Sequence, residues 1–389
     1  MNNNLCTPCF VLNKQGLDDS INRLNYAISS YWPNTIIGYS YKTNSLLWLV
    51  SYLKSKSIYA EVVSDDELSL ARHIGYDYNQ IVFNGPKKSK QKFIEAVNSD
   101  SIVNIDSYNE LEYLSEVKSG AKVGVRVNFS TEDYIPDEVQ DNVNGGRFGF
   151  SYENGDLELV LKKINFLGIK VSGLHLHISS KTRSINVYST ILKNFVCLVE
   201  EMNLNLEYVD IGGGFFSGVP GKPDFCDYFK TINEILNSSE KTKGLKLIIE
   251  PGISLIGSNI DYYTRVNFVR KNTKTSFVFV DGSRTHVDPL FHRSSYLYEV
   301  ISDNEVIEEK NLICGYTCME NDKLFEINQK LSQGDIIVLK KVGAYSITFG
   351  SNFIEFMPKC YLNDNGSLSL IRDKWNVFDI ISKQVIYKE

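Results

Sequence analysis

Between residues 35 and 250 the chain repeats one pattern eight times: a short apolar run, then a segment whose apolar residues recur at helical spacing. The apolar runs are Thr35–Tyr41, Ser57–Glu61, Ile81–Phe83, Ile102–Ile105, Lys122–Asn128, Ile169–His177, Leu206–Asp210 and Lys246–Glu250. Between them, Leu68, Ala71 and Ile74, or Ile191, Phe195, Leu198 and Met202, share one helical face, and Asn44, Ser64 and Asp106 stand where helix N-caps belong. A crossover helix between consecutive strands forces them parallel, and parallel strands bury both faces. Eight such units are the number that closes a parallel sheet on itself. The expected architecture is α/β, a (β/α)8 TIM-type barrel.

The pattern stops near residue 260. The runs Tyr263–Arg270, Thr275–Val280, Leu312–Cys314 and Asp335–Leu339 are separated by turn residues, and helical periodicity nearly vanishes. This predicts a second, all-β domain of sandwich or barrel type, joined by Cys9–Leu12 as an N-terminal strand. The expected division is a barrel over 22–262 and a β domain from 1–21 and 263–389. Two domains also suit 389 residues, more than one core usually organises.

Bulk properties exclude several classes. The net charge of -6 is dispersed, and lysines occur singly or in short runs read as exposed, such as Lys87-Lys88, so no nucleic-acid surface is expected. No run approaches the roughly 18 apolar residues of a membrane span. Met1-Asn-Asn-Asn4 lacks the charged and apolar regions of a secretory signal, which makes the cytoplasm the expected compartment. Seven cysteines, an odd number spread along the chain, argue against a disulfide framework. Cys6-Thr-Pro-Cys9 has CxxC spacing but no second pair at zinc-site distance, and small residues entering a strand explain it equally well.

Five constellations carry chemistry. Tyr39-Ser-Tyr-Lys42-Thr-Asn44 ends the first run with a lysine, which is costly in an apolar strand unless its ammonium is paired or its amine is used. Schiff-base formation needs a neutral, desolvated amine of that kind, although a snorkelling lysine would look the same. Asp210-Ile-Gly-Gly-Gly214 follows the seventh run, where backbone N–H groups of a barrel commonly close around phosphate. Gly173-Leu-His175-Leu-His177-Ile-Ser-Ser180 puts both histidines on one strand face. Zinc is the alternative there, but no third ligand is evident, and no metal is expected. Glu250-Pro-Gly252 ends the eighth run with a carboxylate suited to a helix cap or to a protonated ring nitrogen. In the β domain, Cys314-Gly-Tyr-Thr-Cys318-Met-Glu-Asn-Asp322 and Gly343-Ala-Tyr345 complete the set, Cys318 being read either as a bystander or as a catalytic thiol.

In order along nearly the whole chain, these motifs resemble the fold-type III, or alanine-racemase-like, pyridoxal-phosphate decarboxylases of ornithine, arginine and diaminopimelate. Tyr59-Ala-Glu61-Val-Val-Ser64-Asp-Asp-Glu67, Ile81-Val-Phe-Asn-Gly85, Asn104-Ile-Asp-Ser107, Arg126-Val-Asn128 and Arg147-Phe-Gly149 belong to the same match. The Val-Val-Ser and His-Leu-His details look most like the diaminopimelate branch. The resemblance implies that Lys42 carries pyridoxal 5'-phosphate, that His177 stacks on its ring and that Glu250 keeps the ring nitrogen protonated. It implies a phosphate site from Ser180, Gly212, Gly213, Gly214 and Tyr345, with Glu61 and Arg126 beneath the cofactor orienting Lys42. It also implies a homodimer with shared active sites, in which Cys318 reaches the other subunit and reprotonates Cα.

The departures fall on substrate recognition. Ile253 replaces the arginine that usually follows Glu-Pro-Gly in this family, and His286-Val-Asp288-Pro289-Leu-Phe-His292 has no arginine where a second one belongs. Without both guanidinium forks no bidentate clamp for a distal carboxylate is evident. Met319 stands where an acid usually follows the cysteine, with Glu320 next. Asp288, Met319, Glu320 and Asp322 are therefore the candidate substrate contacts. The expected function is decarboxylation of an amino-acid head group on a larger molecule, as in specialised-metabolite or antibiotic tailoring. Diaminopimelate decarboxylation in lysine biosynthesis is the alternative. An amino-acid racemase and a non-catalytic homologue are further ones.

Overall fold

A computed structural model describes residues 5–130, 135, 137–138, 146–273, 275–302 and 307–385. In chain order the strands begin with β1 (Cys9–Asn13), β2 (Thr35–Ser40), β3 (Tyr59–Val62), β4 (Ile81–Phe83), β5 (Ile102–Ile105) and β6 (Lys122–Asn128). They continue with β7 (Phe150–Ser151), β8 (Lys170–His175), β9 (Tyr208–Asp210), β10 (Lys246–Ile249), β11 (Ile260–Lys271) and β12 (Ser276–Val280). The last are β13 (Tyr298–Ile301), β14 (Lys310–Cys314), β15 (Lys323–Asn328), β16 (Ile336–Leu339), β17 (Lys359–Asp364) and β18 (Ser367–Arg372).

Contacts divide the chain into two units, one running from Ser20 to Ser254 and the other combining residues up to Asp19 with those from Leu255 onward. The second boundary falls earlier than the expected 262 because β11 already begins at Ile260 and pairs antiparallel with β1.

In the first unit, β2, β3, β4, β5, β6, β8, β9 and β10 pair in parallel, and the β5–β6 and β10–β2 pairings close the ring. This is the expected eight-stranded barrel. Burial on both sides explains why the strands read as continuous apolar runs: Ile81, Val82 and Phe83 are all fully buried. Local chemistry sets the helix ends. The helix Asp65–Ile74 opens on Ser64, whose hydroxyl accepts from the Glu67 N–H, while Glu67 accepts from the Val63 N–H. It closes on Gly75 at φ +95°, the left-handed conformation that glycine adopts without strain.

Inside the barrel one side chain takes an unusual share of the space. A Cβ at Gly173 would lie 2.3 Å from the Tyr208 ring, and one at Gly124 would lie 2.1 Å from the Tyr208 hydroxyl. The two glycines make the room that Tyr208 fills.

The expectation that Lys87-Lys88 forms an exposed run holds for Lys87 and is corrected for Lys88, which is buried. The Lys88 Nζ sits 2.9 Å from Glu110 Oε1 and donates to the Gly85 carbonyl at 2.7 Å and the Asn104 carbonyl at 3.0 Å. The other Glu110 oxygen accepts from the Asp106 N–H at 2.8 Å. Burial pushes the Lys88 ammonium down and the Glu110 carboxyl up, so desolvation weighs heavily against the pair. What the pair secures is position: it ties together the segments following β4 and β5.

In the second unit the sheet order is β15-β14-β12-β11-β1-β17-β18, with β16 pairing both β11 and β13. The N-terminal strand β1 is central, antiparallel to β11 and parallel to β17. In the Ser130–Gly149 stretch, expected as a long loop after the fifth barrel strand, residues 131–134, 136 and 139–145 lie outside the described residues. Among the described residues no helix is long and apolar enough to cross a membrane.

Removing one partner of the buried pair should cost more than removing both. Lys88→Ala is expected to destabilise the barrel unit by about 3–5 kcal/mol, because it strands a buried carboxylate, while Lys88→Met with Glu110→Leu recovers most of the loss. Chemical denaturation of the three proteins checks this; equal stability of the single variant and the parent would contradict it.

Candidate active site

Parallel closure sends the C-terminal ends of all eight barrel strands to one face, and the reactive side chains sit at those ends. Lys42 lies in the 3-10 turn Tyr41–Thr43 directly after β2. Its Nζ is 2.9 Å from Glu61 Oε2, which also accepts from Ser40 Oγ at 2.7 Å. The Lys42 side chain is 38% exposed and that of Glu61 is fully buried. The amine is therefore reachable, and its counter-charge is fixed below it.

Glu250, just beyond β10, faces a second buried cluster. His175 Nε2 is 3.6 Å from Glu250 Oε1, and the Asn84 amide donates to that same oxygen. Burial alone would raise the Glu250 carboxyl, but His175, Lys42 and His177 together hold it below the usual carboxylate range. Asp210 goes the other way: burial and the charge of Glu250 push its carboxyl well up, which favours its neutral form. His175, Asp210 and Glu250 each offer a ligand atom within 4.8 Å of the others, a set that could also hold a cation. A neutral Asp210 is a poor ligand, and we read the trio as a proton-sharing cluster around one ionised carboxylate.

His177 is half-buried, and its Nδ1 accepts from the Gly213 N–H at 3.3 Å. Burial pushes its imidazole down to about 3, with Arg126 and Lys42 adding to the effect against the pull of Glu250. At neutral pH it is an uncharged aromatic face. It lies parallel to His175, with ring centroids 6.2 Å apart and 10° between planes.

The glycine run forms a cradle that side chains would fill. A Cβ on Gly212, at φ +69°, would come within 2.4 Å of the His177 ring, and one on Gly213 within 2.2 Å of the Glu250 carbonyl. Gly214 adopts φ +98°. The Gly213 carbonyl accepts from Tyr188 Oη at 2.8 Å. Among the described residues neither ring nitrogen of buried His175 has a partner at full hydrogen-bond distance, Glu250 being its nearest acid at 3.6 Å. Reachable lysine, buried carboxylate, neutral aromatic ring and glycine cradle fit pyridoxal phosphate: Lys42 to bind its carbonyl carbon, Glu250 its ring nitrogen, Gly212–Gly214 its phosphate. Once bound, the cofactor supplies a sink for the electron pair left when a bond to Cα breaks.

Several residues take other places than expected. Asp106 is not a helix cap; it binds Arg126 Nη1 at 2.8 Å and the Gly149 N–H at 2.6 Å, and Ser107 stands at the N-cap. Arg126 in turn donates to the His177 carbonyl at 3.1 Å, so it fixes the backbone that carries His177, while the direct hold on Lys42 comes from Glu61. The Ser180 hydroxyl donates to the Glu138 carbonyl at 3.1 Å and accepts from the Arg183 N–H at 2.8 Å. Sequence reading missed Asn84, which donates to both Glu61 and Glu250, and Asn104 behind it.

In the second unit, Cys318 and Glu320 are exposed, Met319 is half-buried and Tyr345 is 37% exposed. Asp288 and Asp322, expected as substrate contacts, are both held by local hydrogen bonds. Asp288 is buried and accepts from Arg284 Nε and Nη2, Tyr296 Oη and the His292 and Arg293 N–H groups. Asp322 is buried and accepts from Ser283 Oγ, Thr317 Oγ1 and the Arg284 and Thr317 N–H groups. With every oxygen engaged locally, both carboxylates build their own loops.

Residues 18–257 match the family described as pyridoxal-dependent decarboxylase, pyridoxal binding domain. Over 98% of its length the chain is 26% identical to the diaminopimelate decarboxylase of Methanocaldococcus jannaschii, covering 91% of that protein. It is 28% identical to that of Archaeoglobus fulgidus over 97% of the chain and 93% of the relative. The crystal structure of the M. jannaschii enzyme with L-lysine superposes with a TM-score of 0.88, over 98% of this chain and 92% of that one. The Helicobacter pylori enzyme, 21% identical with a TM-score of 0.84 over 97% of both chains, shares the fold. With the site geometry and a family match covering more than half its length, the chain belongs to the pyridoxal-dependent decarboxylases and is a pyridoxal-phosphate-dependent carboxy-lyase.

Proposed function

We propose that the chain decarboxylates diaminopimelate or a close diamino-dicarboxylate, with the cofactor on Lys42. The observation that carries the chemistry is the convergence of Lys42–Glu61, His177 and Glu250 at one end of the barrel. Diaminopimelate is favoured because relatives of that name match nearly the entire length of the chain. In this reading the Cα–carboxylate bond breaks, carbon dioxide leaves, and the electron pair at Cα takes up a proton. Glu250, held ionised, would keep the ring nitrogen of the bound cofactor protonated, and neutral His177 would offer its uncharged face to the ring. Cys318, supplied by a second copy in a homodimer, delivers the proton to Cα, and Met319 and Glu320 flank the substrate beside it.

A second reading, an amino-acid head group on a larger conjugate of the specialised-metabolite kind, is favoured by two residues. Ile253 opens the short helix Ile253–Ile256 with an apolar side chain after Glu250-Pro-Gly, and Met319 follows the cysteine. Neither can grip a carboxylate or an ammonium group.

Three experiments test these roles. Lys42→Ala is expected to fold and show no visible absorbance of lysine-bound cofactor after incubation with pyridoxal phosphate; a normal spectrum would remove Lys42 from its role. Cys318→Ala should keep the spectrum and lose roughly a hundredfold or more in turnover to correctly reprotonated product. Unchanged rate and products would exclude the thiol. Carbon dioxide release should be measured on meso-diaminopimelate, both ornithine enantiomers, lysine, arginine and aminocarboxypropyl conjugates. Turnover of diaminopimelate is expected; silence there with turnover of a conjugate would establish the second reading instead.

A further inference from the structure

A chain of side-chain hydrogen bonds runs through the barrel interior from Tyr208 to the cofactor carboxylates. Tyr208 Oη donates to Asn104 Oδ1 at 2.8 Å. Asn104 Nδ2 donates to Asn84 Oδ1 at 2.8 Å and to Asp210 Oδ2 at 3.2 Å. Asn84 Nδ2 then donates to Glu61 Oε1 at 3.1 Å and to Glu250. Tyr208, Asn104, Asn84, Asp210, Glu61 and Glu250 are all buried. Tyr208 also lines a cavity of about 290 Å³ with Ser172, Val123, Lys122 and Glu207, so the chain begins away from the catalytic end.

A primary amide can rotate by half a turn without changing shape, exchanging donor for acceptor. Nothing in the packing of Asn104 or Asn84 therefore sets which way it points; the carboxylates Glu61 and Glu250, which only accept, set it from their end. With the Asn84 NH2 on those carboxylates, its oxygen faces back, the Asn104 NH2 faces that oxygen, and the Asn104 oxygen is left for a donor at the far end. Tyr208 supplies that donor, its ring wedged against Gly173 and Gly124 so that the hydroxyl stays in place.

We infer that Tyr208 is a positioning residue for the cofactor site, its hydroxyl holding the far end of the two-amide chain whose last NH2 bridges Glu61 and Glu250. This rests on the assignment of Lys42 and Glu250 to the cofactor and is independent of the substrate. Without that hydroxyl the Asn104 oxygen would lose its buried donor, and the slack would pass through Asn84 to the counter-charge of Lys42 and the partner of the ring nitrogen together.

The test is titration of the purified full-length chain with pyridoxal phosphate, reading the dissociation constant and the visible band of lysine-bound cofactor. Tyr208→Phe keeps the ring and removes the hydroxyl. It is expected to fold, bind the cofactor roughly tenfold more weakly and alter the band. Asn104→Leu should lose a similar amount, and the double variant should be no worse than Asn104→Leu alone, because the hydroxyl acts through that amide. Parent-like affinity and band in Tyr208→Phe, or losses that multiply in the double variant, would overturn the inference. Should Tyr208→Phe not fold, Asn84→Asp decides, since it puts an oxygen where the bridging NH2 belongs. Weakened binding with an altered band is expected, and parent-like binding overturns the inference. A parent chain forming no band at all would overturn the cofactor assignment, and this inference with it.

Discussion

Three carboxylates, Glu61, Asp210 and Glu250, are buried together at one end of a closed barrel, and charge removed from water must be answered by charge or hydrogen bonds from the protein. Most of the site can be understood as that answer. Lys42 meets Glu61, His175 approaches Glu250, Asp210 is pushed toward its neutral form, and Asn84 donates to both Glu61 and Glu250. Each strand contributes no more than a residue or two. The cluster exists only because parallel closure brings eight strand ends to a common face. A single antiparallel strand would send its share of the cluster to the opposite end.

The same constraint governs what the sequence reveals. Barrel strands are legible because both faces are apolar and the run length is short; the interior of each expected run coincides with an observed strand, and the differences are confined to the ends. Lys42, His177, Glu250 and Gly212–Gly214 are legible because each interrupts an apolar run at its C-terminal end, where a polar or flexible residue needs a reason. Asn84, Asn104 and Tyr208 carry no such mark. Their partners lie 20 to 166 residues away along the chain, and an asparagine at a strand end reads as turn chemistry until the strands opposite are known. Lys88 is the sharpest case: beside exposed Lys87 it reads as surface, and only the closing of β4 against β5 buries it with Glu110.

The surroundings of loop carboxylates are hidden for the opposite reason. Asp288 and Asp322 stand in irregular segments rich in polar residues, where an acid reads as available to a ligand. Their donors come from within the same or an adjacent loop, as backbone N–H groups that no side-chain pattern advertises. Arg284 shows the coupling: its guanidinium is held by Asp288 while its own N–H donates to Asp322. The two acids and one arginine form a frame. An arginine so engaged meets another ligand only by giving up two charge-assisted hydrogen bonds to one carboxylate oxygen, which is costly in a half-buried loop.

Two of the four expected substrate contacts are thus committed to local structure. Chemistry common to a family depends on the buried cluster, where a change of one carboxylate is felt by every neighbour. Substrate recognition depends on side chains added to that frame, and these can change with little cost to the fold. That difference explains how the chain keeps a full complement of cofactor groups at about a quarter identity to its relatives while Ile253 and Met319 depart from the usual pattern. An apolar Ile253 can remove affinity for a distal charge, because it offers no donor. It lies outside the cluster of Lys42, Glu61 and Glu250, on which the proposed chemistry depends. Whatever amino acid the chain accepts, the cluster at the barrel mouth treats it as a carboxylate to be removed.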